Sequence, residues 1–147
     1  MQVNAGRIGG AGTIAGPLTI GTGSRSGAIL IPAAGTKREV TTVIGSALTC
    51  KADASYDCAV NTITGTSDSV VANGVMIDSS ATFVLHPKGT GTLVSETAIT
   101  PINNTAATPI SGNFNGLAEG ATISAGNNTY EVSYIGGDGN DFTLTVL

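Results

Sequence analysis

The chain has 147 residues, 41% of them hydrophobic and 11% charged, with 21 glycines, no tryptophan and a net charge of −4. That length suits one domain with a core of its own, and the apolar content excludes the disordered class, whose hydrophobicity is low. All six Lys and Arg fall in residues 1–88, whereas residues 89–147 carry five carboxylates and no base; no basic stripe exists for a nucleic acid to follow.

No run of about 18 apolar residues occurs, so no helix is expected to span a membrane. The opening MQVNAGRIGG also lacks the apolar centre of a secretory leader. Good helix formers are sparse and no segment has helical period, so short strands and turns are expected throughout.

Ile8, Ile14 and Ile20 recur every six residues, with Gly10 and Gly16 in register, a spacing that can mark the faces of a β-helix. Gly10-x-Gly12 and Gly21-x-Gly23 lack the strand–helix context of a nucleotide loop, and no cofactor is expected. Further strands are expected at 28–31, 39–44, 47–51, 58–64, 69–72, 75–78, 81–85, 91–94 and 98–102, with prolines near their ends. The stretch from Pro101 to Ser111 reads as a bridge to the C-terminal strands.

Cys50 and Cys58 enclose seven residues. In an exported protein a disulfide clipping this loop is the leading reading, with free core thiols as the other. The loop holds Lys51, Asp53, Tyr56 and Asp57, the densest polar cluster in the chain and a candidate recognition loop. A metal site is poor chemistry here, since the spacing is not C-x-x-C and His86 is the sole histidine. His86 lies next to Pro87, and no G-x-S-x-G elbow is present, so no catalytic triad is expected. Asp53 with Asp57, and Asp68 with Asp78, are the carboxylate pairs to test for glycosidic chemistry. The chain is expected not to be an enzyme.

The last 36 residues alternate with period two. Ala121, Ile123 and Ala125 share a face, as do Tyr130, Val132 and Tyr134, and then Phe142, Leu144 and Val146. Gly126-Asn127-Asn128 and Gly136 to Asn140 supply hairpin turns, so an antiparallel meander is expected. Asp138 and Asp141, within GGDGND, form a weak calcium candidate. The motif matches only the opening of a calcium-binding nonapeptide, and it occurs once.

Several segments resemble the autotransporter-associated β-strand repeat proteins of bacterial surfaces. Phe114 to Gly120 (FNGLAEG), Tyr134 to Asp141 and the Thr/Leu/Val ending look like their C-terminal unit. Ile8 to Ile14 and Pro17 to Gly21 resemble the "GGTGTI…LTIG" repeat edge, and Ala28 to Pro32 is similar to an "LAPG" turn. Val75 to Leu85 resembles a solenoid repeat pattern.

The resemblance implies an all-β chain: a right-handed parallel β-helix or solenoid over residues 1–111, then an antiparallel β-meander cap over residues 112–147. It implies no catalytic residues, an extracellular or cell-surface location, and a fragment of a longer polypeptide. The expected role is a structural stalk and cap, with flanking repeats as partners. The rival readings are a self-assembling filament joined through β edges and a module binding surface glycans.

Overall fold

A computed structural model of the chain describes residues 1–24, 27–34 and 37–147. Among these residues the chain is all-β, with parallel and mixed sheets and no helix. The first twelve strands come in sets of three. They are β1 (Gln2–Val3), β2 (Gly6–Ile8) and β3 (Gly12–Ile14); β4 (Leu18–Ile20), β5 (Ala28–Leu30) and β6 (Thr41–Ile44). Next come β7 (Leu48–Cys50), β8 (Ala54–Asn61) and β9 (Ser69–Ala72), then β10 (Val75–Ile77), β11 (Thr82–Lys88) and β12 (Ala98–Asn104). The chain ends with β13 (Thr122–Ala125), β14 (Asn128–Gly136) and β15 (Asp141–Val146).

Each of the first nine strands pairs in parallel with the third strand after it. The sheet orders are β1-β4-β7-β10, β2-β5-β8-β11 and β3-β6-β9-β12, the last continuing antiparallel through β15, β14 and β13. The isoleucines spaced by six end β2, β3 and β4, one in each sheet. Alternate side chains point inward and stack in register from one set to the next. Leu18, Leu48 and Val75 form one column, and Ile20, Cys50 and Ile77 another. Ile8, Leu30, Tyr56 and Phe83 form a third, whose members change from aliphatic to aromatic along the stack. The three sheets share one apolar core.

The two ends of the stack differ. At the first set, β1, β2 and β3 are all sheet edges, and Val3, Ile8 and Ile14 are only partly buried. At the far end, the chain after β12 lies along β10: Ser111 N–H donates to Val75 O at 3.0 Å, and Ile77 N–H donates to Ser111 O at 2.8 Å. Gly112 permits this close approach. Its φ is +83°, and a Cβ there would overlap the Ile77 carbonyl oxygen.

Phe114 then sits 5.5 Å from Phe83 and 5.3 Å from Phe142, ring centre to ring centre. Phe83 lies 5.0 Å from Phe142, and Tyr134 lies 4.9 Å from it. Each buried ring contributes roughly 1.5–3 kcal/mol by burial, and each ring pair adds about 0.5–1.5 kcal/mol. The Tyr134 hydroxyl ties the plug together, accepting from Phe114 N–H at 2.9 Å and donating to Leu117 O at 2.8 Å.

The C-terminal meander follows the period-two pattern: Tyr130, Val132, Tyr134, Phe142, Leu144 and Val146 are buried. Asp141 and Thr143 are buried too, because β15 is flanked by both β12 and β14. The expected strand at 91–94 does not form. Leu93 N–H donates instead to Asn128 Oδ1 at 2.7 Å, and Asn128 Nδ2 donates to Gly91 O at 3.0 Å.

The expected Cys50–Cys58 disulfide is absent, since both thiols are free and buried. Cys50 ends β7, whereas Cys58 is five residues into β8 and runs away from the corner between them. The two cysteines therefore sit on strands of different sheets, one on each side of a corner. Burial, followed by the Asp78 charge, pushes the Cys50 thiol up to about 12. Burial raises Cys58 as well. Both stay protonated and inert at neutral pH.

Candidate functional site on the second sheet

The segment from Lys51 to Asp57, expected as one recognition loop, is a corner followed by the first half of β8. Alternation along that strand separates its side chains. Tyr56 points inward, is fully buried, and donates its hydroxyl to Pro101 O at 2.8 Å across the core. Burial, then the Cys58 and Asp68 charges, raises its pKa well above the usual phenol value. It is closed to any surface ligand.

Asp53 and Lys51 stay at the corner. The Asp53 carboxylate accepts N–H groups of Thr22 at 2.8 Å and Gly23 at 2.6 Å, clamping the corner of the preceding set. Lys51 Nζ lies 3.9 Å from Asp78, with both side chains more than a third exposed, so this pair contributes little. Only Asp57 of the four stands on the open face of the second sheet. The carboxylate pairings Asp53 with Asp57 and Asp68 with Asp78 do not form, because the four groups engage separate partners.

On that face Asp57 accepts from Ser55 Oγ at 2.5 Å and lies 3.3 Å from His86 Nε2. The serine hydroxyl is committed to the carboxylate rather than to the imidazole, so the geometry does not activate a nucleophile. On the neighbouring strand, β5 stops at Leu30 while β8 runs on to Asn61. The chain folds back to cover the unpaired half of β8. Asn61 N–H donates to Thr66 O at 2.7 Å, and Asp68 N–H donates to Ala59 O at 2.8 Å. The Asp68 carboxylate completes the turn, accepting Ala59 N–H at 3.0 Å and Val40 N–H at 2.9 Å. It is wholly buried.

These elements surround a concavity of about 270 Å³, lined by Arg7, Asp57, Ala59, Asp68, His86 and Lys88 among others. Ala59 is a small, buried floor between taller side chains. The Lys88 ammonium nitrogen is buried and has no hydrogen-bond partner. Lys51 pairs with Asp78 and His86 lies against Asp57, and Arg7 and Lys88 take no part in either contact.

Asp57 and His86 stand out in the sequence as chemistry-bearing, but Arg7, Ala59 and Lys88 do not. The alternation of Ser55, Asp57 and Ala59 opposite Tyr56 and Cys58 could have put Asp57 on a strand face. Its neighbours across the sheet depend on register, which the sequence does not print.

The calcium candidate fares differently. Asp138 is exposed in the hairpin turn closed by Gly139 N–H and Gly136 O at 2.9 Å. Asp141 turns inward and accepts Asn104 N–H at 2.8 Å. Burial raises the Asp141 pKa, the Asn104 bond opposes that shift, and Asp138 adds to it. The two carboxylates point to different environments, and among the described residues no group of three metal-binding side chains assembles. No family model, curated protein or solved structure matches the chain.

Proposed function

We propose that this chain is a non-catalytic structural module, the C-terminal stalk and cap of a bacterial extracellular or cell-surface β-solenoid. The observation that carries the reading is the difference between its ends. Three parallel sheet edges lie open at β1, β2 and β3, while a meander and an aromatic plug cover β10 to β12. The parallel pairing of each strand with the third after it supports a solenoid of four three-strand coils. A preceding coil of the same kind would pair with β1, β2 and β3 and bury Val3, Ile8 and Ile14. Solenoids whose stability adds up between neighbouring coils need such an end cover.

The rival reading, a self-assembling filament, draws on the same open edges, since unpaired strands template pairing with other chains. The two ends are unlike in shape, however. The far end offers β10 and β11 as the last parallel strands of two sheets, with the chain at Ser111 lying along β10, and β13 as an antiparallel edge on the third. Head-to-tail stacking of copies would therefore mismatch the third sheet, and the segment along β10 would obstruct the first.

Electron microscopy and light scattering on concentrated protein test the reading. Monodisperse particles uphold it, and regular fibres would transfer the assignment to the filament. Hydrogen exchange adds a second measure, with amides of β2 and β3 expected to exchange faster than those of β11 and β12.

A further inference from the structure

We propose that the concavity on the second sheet binds a single oxyanion group, a carboxylate or a sulfate, carried by a small ligand. The chain has only six basic residues, ten acidic residues and one histidine, yet five of these seventeen line one concavity. So dense a cluster in a charge-poor protein is not the ordinary solvated surface.

The charges inside the concavity are unequally used. Asp68 is taken up by the N–H groups of Val40 and Ala59, and Asp57 by Ser55 and His86. Neither carboxylate hydrogen-bonds to Lys88, whose buried ammonium lacks any acceptor. A buried ammonium without a partner is strongly unfavourable, and native structures seldom retain one. The four-carbon stem of lysine lets the ammonium turn into the concavity that the side chain lines.

Arg7 stands exposed on β2, the opposite edge strand of the same sheet and level with Ser55 and Thr82, so it adds a positive charge at the far side of the concavity. An oxyanion at Lys88 would satisfy its ammonium, while the Asp57–His86 pair and the Ala59 floor would meet neutral hydroxyl groups of the ligand. A volume of about 270 Å³ restricts the ligand to roughly one sugar ring or less.

The test is titration of isotopically labelled protein with inorganic sulfate, glucuronate and glucose, reading backbone amide shifts. Saturable shifts at Ala59, His86 and Lys88 with glucuronate or sulfate, and none with glucose, are expected. Equal response to both anions identifies a bare oxyanion as the ligand, and tighter glucuronate binding identifies a sugar acid; both uphold the proposal. Lys88→Met is expected to weaken binding by about tenfold or more, Lys88→Arg to retain it, and Arg7→Gln to weaken it several-fold. Should Lys88→Met fail to fold, Lys88→Arg and the edge-strand variant Arg7→Gln carry the test. Silence with both anions, an equal response to glucose, or unchanged binding in a folded Lys88→Met would overturn it.

Discussion

The first and last strand sets use the same architecture and reach different endings. Ile8 and Phe83 occupy one inward column, at the first and fourth positions of the second sheet. Ile8 is partly buried at an open edge, while Phe83 is packed among Tyr56, Phe114 and Phe142. Column identity thus does not set burial; what lies beyond the column does. An inward residue is worth as much as the layer covering it.

The sharpest way to break this comparison is truncation at each end. Phe142→Ala should cost about 3–5 kcal/mol in urea unfolding, since it removes the ring that three others meet. Ile8→Ala should cost only about 1 kcal/mol, because part of its surface is already hydrated. Equal losses would mean that the ends are energetically alike and that the plug is not one.

Next in size is the carboxylate that links the meander to the parallel strands. Asp141→Ala leaves the buried Asn104 N–H without an acceptor and should cost about 1–3 kcal/mol, while Asp141→Asn keeps an acceptor oxygen and should cost less. The pH dependence separates them further. The Asp141 pKa is raised above 3.8, so the native state holds this proton more tightly than the unfolded chain. Its contribution is full below the unfolded value and fades as pH rises through the native one. The wild type should show that loss in melting temperature as pH rises from below 3.8 through the raised native value, and Asp141→Asn should lack it.

A smaller effect probes the middle of the stack. Tyr56→Phe removes the only hydroxyl crossing from the second sheet to Pro101 among the described residues, for a loss of about 1 kcal/mol by thermal unfolding. Smallest of all is the response to reductant. With Cys50 and Cys58 free, reducing agent should leave the melting temperature unchanged, and alkylation should proceed only after denaturation. A mass difference of about two daltons on reduction would restore the disulfide.

Much of the fold was legible because period-two alternation is local. Tyr130, Val132 and Tyr134 against Thr129 and Glu131 mark β14 without any neighbour being known. The isoleucines at 8, 14 and 20 likewise announced three strands, although not that each joins a different sheet. The interval from Cys50 to Cys58 misled because a loop between cysteines and a corner leading into a strand look alike in one dimension. Ala54, Tyr56 and Cys58 alternate inward along β8, and the polar residues between them disguised the pattern.

The sequence by itself determined the β class, the faces of the last strands and the hairpin turns, because backbone geometry alternates side chains and glycine tolerates positive φ within a few residues. Only the tertiary structure decided which strands meet. Pairing between sets joins residues from 17 to 32 apart, so register depends on corner lengths and packing rather than on local preference. That register brings Asp57, His86 and Lys88 to one concavity, buries Tyr56, and keeps Cys50 from Cys58. It also leaves one end of the stack open and fills the other with aromatic rings.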